Sequence, residues 1–351
     1  MDPGAVCRYL TERLGAGPVL VTSLHQTFPG QSQETWLVDA TVDGEPRGFV
    51  LRGNPPGGGI VPFPLRREWE VYRRLTGSPV PVATPLWFDE GACGLFGGRP
   101  FFVRDLVPGS THVPGLQDDP ALRRAVAHEH ARALAAVHTL DWEALGLGEV
   151  LDPPTGPADA ARHEVETWWR IFDEVRPGPM PVVTEALYWL HDQLPRAAPC
   201  VALLKGNNGL GEEIWRDGRI VALSDWELAS LGDPAQDWAF SQGMLALADA
   251  EETLRFYESV AGFTLVRENL AFYRVWTVVK ALCCVTAGLR GFLDGRDPRV
   301  ALPAMGFGGV KVMESLLATM VTMDLAAAAE LVAALEGSRL SEPAAGGEGR
   351  G

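Results

Sequence analysis

Between Val19 and Leu51 apolar and polar residues alternate through VLVTSL, ETWLVDATVDG and GFVLRG. This two-residue period predicts strands with one buried face. Asp43-Gly44, between the last two runs, predicts a tight hairpin turn. Asn54 to Pro64, NPPGGGIVPFP, is a loop by its Pro and Gly content. From Leu65 to Leu75, LRREWEVYRRL, the period lengthens to that of a helix, with charges set between the apolar positions. Two further apolar runs, PLWFDEG and GRPFFVRDLV, bring the expectation to five strands and one helix.

Past Pro108-Gly109 the pattern turns helical. Asp118-Asp119-Pro120 starts a helix of strong helix formers reaching Leu140. Asp141 to Leu194 reads as helical with a Pro-Gly break around Arg176 to Pro181, and helices resume from Asp233 to about Leu335. Between them lies a strand-loop-strand unit, VALLKGNNG then EEIWRDGRIVALSDWE. The expected organisation is α+β. A β-rich lobe spans residues 1–107, a hinge lies near Val103 to Gly109, and a helical lobe spans 108–336. The Gly-, Ala-, Ser- and Glu-rich tail, 337–351, is expected to be disordered. Inter-lobe clefts favour small-molecule sites.

Composition narrows the partners. A formal net charge of −15, with no run of Lys and Arg, argues against nucleic acid. The longest apolar stretch, Phe272 to Leu289, is interrupted by Arg274 and Lys280 and reads as a core helix, so no membrane partner is expected. Five scattered cysteines form no CxxC pair, and the N-terminus lacks a basic region followed by an apolar one. Reduced thiols and a cytoplasmic location are the expectation.

LSDWELASLGDPAQDWAF, Leu223 to Phe240, closely resembles the metal-binding segment of aminoglycoside and choline phosphotransferases. The likeness is strongest to the branch of kinase domains joined to acyl-CoA dehydrogenases, and it runs from about Leu20 to Met320. FPGQSQETW resembles that family's glycine-rich phosphate loop. FVLRGNPP resembles the strand bearing its basic nucleotide-contacting residue, and REWEVYRRL the helix bearing the acidic partner. PVPVATPLW and PFFVRDLVPG resemble the approach to the hinge, and LAAVHTLDWEALGL and YWLHDQLP the helical insert. The resemblance implies a bilobal protein-kinase-like fold, Mg2+ with ATP (or GTP) as cofactors, and a small-molecule phosphate acceptor.

Phosphoryl transfer requires gripped phosphates, metal-neutralised charge and an acceptor held in line. By resemblance, the turn holding Gly30 and Ser32 offers N–H groups and a hydroxyl to phosphate, although Pro29 removes one donor. Arg52 would grip the α- and β-phosphates, oriented by Glu68 or by its neighbour Glu70. Asp225, after the apolar run Ile220 to Leu223, would hold Mg2+, with Glu227 assisting a second ion. Asp233 and Asp237 match family positions as a turn or helix start and as a buried hydrogen-bonding partner.

Eighteen residues before Asp225 the pattern departs from the family. Where the family has His-Gly-Asp, four residues and Asn, this chain has Lys205-Gly206-Asn207, four residues and Glu212. Asn207 stands at the place of the proton-accepting Asp, and a carboxamide is no base near pH 7. Losing such a base typically costs about 10²–10⁴-fold in rate. Glu212 stands in place of a metal-binding Asn and could itself ligate Mg2+ with changed geometry, and Lys205 could offset its charge. One reading is a working enzyme whose acceptor is already ionised, or whose proton passes to Glu212 or Glu213. Another is a silent pseudo-kinase binding a nucleotide, metabolite or protein. A third is a repurposed fold for another group transfer or a lyase step.

The remaining features read as structural. His128, His130 and His138 share a helix without i, i+4 spacing, and His138 is expected to pack. Cys283-Cys284 and the eleven tryptophans are expected in the core or lining a groove.

Overall fold

The computed structural model describes residues 1–15, 17–27, 32–116, 118–241 and 247–341. The N-terminal lobe is an antiparallel sheet of β1 (Val19–Gln26), β2 (Glu34–Val42), β3 (Glu45–Gly53), β4 (Pro85–Asp89) and β5 (Phe101–Asp105), ordered β1-β2-β3-β5-β4. The β2–β3 register pairs Val42 with Glu45 across the Asp43-Gly44 turn and places Thr35 opposite Arg52.

Helix α1 (Pro3–Leu14), absent from the sequence reading, packs Val6, Tyr9 and Leu10 with Val19 and Val38 of the sheet. Its signals were present. Asp2 accepts from the N–H of Ala5 at 2.8 Å, Pro3 opens the first turn, and Gly15 closes the helix at φ 58°. Helix α2 (Leu65–Leu75) turns Trp69 and Tyr72 against Phe102 of β5, each with ring centroids 5.9 Å apart. The same helix joins a core with Leu203, Leu223 and Trp226 of the second lobe. It therefore ties the two lobes together.

The larger lobe contains α3 (Pro120–His138), α4 (Ala160–Val175), α5 (Pro181–Asp192), α6 (Ala235–Phe240), α7 (Ala250–Ala261), α8 (Arg267–Leu293), α9 (Val310–Met320) and α10 (Leu325–Ser341). Its centre is α8, with Phe272, Trp276, Val279 and Cys283 in a shared core with α4, α5, α9 and α10. Among the described residues, α8 is the one helix long and apolar enough to cross a bilayer, yet 56% of its apolar window is buried inside this lobe.

Three expectations are corrected. Residues 141–159 are turns with one 3₁₀ stretch, Leu147–Glu149, because Pro153, Pro154 and Pro157 lack the amide donors a helix needs. Helix α10 continues to Ser341, past the expected start of a disordered tail at 337, since one glycine within an Ala- and Leu-rich helix costs only about 1 kcal/mol. The central unit is two ladders. β7 (Glu213–Arg216) and β8 (Arg219–Leu223) form a hairpin, while β6 (Ala202–Leu204) pairs with β9 (Ser230–Gly232), a strand too short to show a period.

Candidate active site

Arg52 ends β3 and meets four oxygen-bearing side chains. Its Nε donates to Glu68 Oε2 at 2.9 Å and one terminal nitrogen to Thr35 Oγ1 at 3.3 Å. The other terminal nitrogen crosses to the second lobe, donating to Asp225 and, at 3.2 Å, to Glu227 Oε2. Burial opposes the charge of Arg52, but Glu68, Asp225 and Glu227 outweigh it and hold the guanidinium firmly protonated. Glu68 is buried, and burial pushes its carboxyl up against the pull of Arg52. Glu70 lies on another face of α2, bound to Arg73 at 2.8 Å, so Glu68 is the partner of Arg52.

Asp225 follows β8 in the left-handed region, φ 62°, with its N–H donating to Tyr72 Oη at 3.2 Å. Its Oδ1 takes Arg52, and its Oδ2 accepts from Asn207 Nδ2 at 2.5 Å. Asn207 thus presents a donor to the carboxylate. Glu227 is buried, and desolvation together with Asp225 pushes its carboxyl up to about 8, against the pull of Arg52 and a hydrogen bond from Ser32. Glu212 closes a 3₁₀ turn, Leu210–Glu212, and is pushed up to about 7 by burial and Asp225, opposed by Lys205 and Arg52. These carboxyls crowd around the largely enclosed guanidinium of Arg52. Gly30 and Pro29 lie outside the described residues.

Lys205 points inward. Its ammonium donates to the carbonyl oxygens of Asn207 and, at 3.5 Å, Asp225, and lies 5.9 Å from the Trp226 ring centroid. Burial lowers its pKa, against Asp225 and then Glu212. The side chain fastens the two ends of the site from behind and does not line the cavity. Glu213 is also turned away, its carboxylate against His130 Nδ1 of α3, both buried, because alternation along β7 sends it opposite to Ile214. Glu213 therefore does not reach the cleft as a proton acceptor.

The loop's backbone rests on Asp237. This carboxylate, fully buried in α6, accepts from the N–H of Lys205 at 2.6 Å and of Gly206 at 2.8 Å, and contacts His138 Nε2 at 3.2 Å. Burial would raise its pKa, but His138 and the two amides hold it below the usual range. His138 in turn meets Tyr257 Oη at 2.7 Å, so it is an anchoring residue as well as a packed one. Gly206 sits at φ 79°, where a Cβ would fall 2.4 Å from the Leu228 carbonyl oxygen, so only glycine fits. Asp233 caps α6 through the N–H of Ala235 at 2.9 Å and accepts from Asn269 at 2.7 Å.

A cavity of about 920 Å³ separates the lobes and brings Ser32, Arg52, Asn207, Glu212, Asp225 and Glu227 to one surface. Its volume suits a small molecule. The sequence reading missed Thr35, Tyr72 and Arg104. Thr35 was recoverable from the hairpin register, and Tyr72 from its place one helical turn beyond Glu68. Arg104 sits at the hinge end of the cavity, 5.6 Å from the Tyr72 ring centroid, without a local sequence signal.

Residues 26–276 match the model of the phosphotransferase enzyme family, APH. Acyl-CoA dehydrogenase family member 10 of Mus musculus is 29% identical over 245 residues, covering 68% of this chain and 22% of that protein. The chain thus spans under a quarter of that relative's length. A putative aminoglycoside phosphotransferase from Ralstonia eutropha superposes with TM-score 0.65 at 23% identity, covering 94% of this chain and 98% of that one. A thermostable mutant of aminoglycoside phosphotransferase APH(4)-Ia, in ternary complex with ADP and hygromycin B, superposes with TM-score 0.54 at 18% identity, covering 97% and 99%. At these identities the two structures support the fold.

Proposed function

The chain belongs to the phosphotransferase enzyme family, and from that premise we propose that it transfers the γ-phosphate of ATP or GTP, with Mg2+, to a small-molecule acceptor through an altered catalytic loop. One observation carries the reading: Arg52 of the small lobe meets Asp225 and Glu227 of the large one inside a single cavity, while Glu68 fixes its direction. A guanidinium so held suits phosphate oxygens.

The residues present fit a divalent cation. Asp225 and Glu227 offer hard oxygen donors, and Glu212 lies on the same wall. Among the described residues no three acidic, His or Cys side chains form a ready-made cage. The carboxyls of Asp225 and Glu227 on one wall suit Mg2+, which commonly takes one or two carboxylates and fills its shell with phosphates and water. When bound, the ion neutralises charge building on the phosphates. The chain's own residues do the rest: Arg52 orients the nucleotide, Asn207 holds Asp225 in direction, and Glu212 is the carboxyl of the loop placed to face the acceptor.

A second reading is favoured by the Asn207 contact. An amide that donates to Asp225 accepts no proton, so the same site also suits a nucleotide-binding protein without turnover. Thermal shift with Mg-ATP and Mg-GTP tests the shared part. At about 100 times the dissociation constant, nucleotide adds roughly 2.7 kcal/mol of stability. Transfer from γ-labelled nucleotide into metabolite extracts then separates the readings. A shift with no labelled product favours the silent form, and absence of any shift removes both.

A further inference from the structure

The two ends of the inter-lobe cavity differ in chemistry. At the hinge end Arg104, Ser110 and Thr111 set polar groups among the apolar Val50, Leu106 and Val107, and Gly109 packs closely against Ile214, a Cβ there falling 2.5 Å from its Cγ2. The opposite end is apolar. Ile60 and Val61 of the Asn54–Pro64 loop face Ala281, Cys284 and Val285 of α8, with Phe240 closing the end of α6. The loop lies directly on α8: a Cβ on Gly288 would fall 2.7 Å from Ile60 Cγ2, so the missing side chain admits the loop. The carbonyl of Gly57 accepts from Arg296 at 3.5 Å, and Phe63 meets Trp168 edge-on at 5.8 Å between centroids. Phe240 and Ala281 also border a second cavity of about 290 Å³, which prolongs the apolar surface.

Glu227 borders this end beside Cys284, and Lys280 is already bound. Its Nζ donates to Glu164 Oε1 at 2.9 Å and lies 5.1 Å from the Trp168 ring centroid. Glu164 is further engaged by Gln236 at 3.0 Å and Trp276 at 3.3 Å. Three donors thus converge on Glu164 Oε1, and the charge of Lys280 is balanced within the lobe. An apolar body entering here covers Ile60, Val61, Ala281 and Val285 without stripping Lys280 of its partner.

We propose that the acceptor is a largely apolar molecule carrying a hydroxyl, its body lodged between the Asn54–Pro64 loop and α8 and its hydroxyl directed at Asn207 and Glu212. The assignment rests on the phosphotransfer reading for the hydroxyl's fate. The apolar end itself is tested independently of turnover.

Hexan-1-ol, octan-1-ol and decan-1-ol are titrated calorimetrically into the full chain, with Mg-ATP in a separate titration. Affinity is expected to rise by up to about fourfold per methylene, the increment for burying a CH₂. Val285→Asp is expected to flatten the series. Should that variant lose its circular dichroism, Val285→Phe decides, since the larger ring is expected to remove the advantage of decanol over hexanol. A flat series in the parent chain or a series unchanged by Val285→Phe would overturn the proposal. Loss of Mg-ATP binding alone overturns the phosphotransfer reading and leaves the alcohol series to decide the apolar end.

Discussion

Asp237 and Glu227 are both buried carboxylates of the helical lobe, yet their surroundings drive them in opposite directions. Two backbone amides and His138 converge on Asp237, and its charge is favoured despite complete burial. Glu227 stands beside Asp225 and shares one guanidinium, Arg52, with it and Glu68, so its carboxyl is pushed up to about 8. The difference separates a scaffold from a receptor. The first cluster is satisfied by the protein alone, whereas the second holds acids in excess and gains from added positive charge. Of the altered side chains of the loop, Asn207 and Glu212 fall on the receptor side and Lys205 turns behind it, while the backbone remains held by the scaffold.

The largest expected effect strikes the scaffold. Asp237→Ala leaves two buried N–H groups and His138 without their acceptor, which should cost about 3–5 kcal/mol. A urea midpoint unchanged from the parent would show that the loop is held otherwise. Next comes the receptor: Arg52→Met removes the shared cation and is expected to weaken Mg-nucleotide binding by roughly 2–3 kcal/mol, measured by calorimetry.

The comparison also predicts a pH signature. Glu227 and Glu212, at about 8 and about 7, keep protons in the folded chain that the unfolded chain has released above its ordinary 4.5. Stability of the ligand-free protein should thus be highest near pH 5 and fall as pH rises toward 8, by up to about 1.4 kcal/mol per pH unit for each proton. Asp237, depressed below 3.8, keeps its contribution through that range and loses it only in stronger acid. Glu227→Gln should remove its share of the slope, and urea unfolding at pH 5, 6, 7 and 8 measures it. The smallest effect is expected from Asn207→Asp. Replacing the amide that donates to Asp225 by a second carboxylate should cost about 1 kcal/mol without ligand. Mg-ATP should recover that loss, and a rise in γ-phosphate transfer would favour a lost base over a different mechanism.

Much of this was legible in the chain. The Asp43-Gly44 turn fixes the hairpin register that sets Thr35 opposite Arg52, and helical spacing places Glu68 and Tyr72 on one face. The strand ending at Leu223 announces Asp225, and Lys205, Asn207 and Glu212 declare themselves against the family pattern. Helix α1 was written in its caps and passed over. The short strand β9 had too few residues to show a period.

Local periods and turns are backbone properties of neighbouring residues, so the sequence by itself determined the α+β order, the hairpin, the α2 face and the unusual loop. The direction of a charged side chain at a cleft depends on partners far along the chain. Arg52 and Asp225 are 173 positions apart, and Glu213 finds His130 across 83. Only the tertiary structure could therefore decide that Glu68 rather than Glu70 serves Arg52, that Lys205 and Glu213 turn inward, and that the far end of the cavity is apolar.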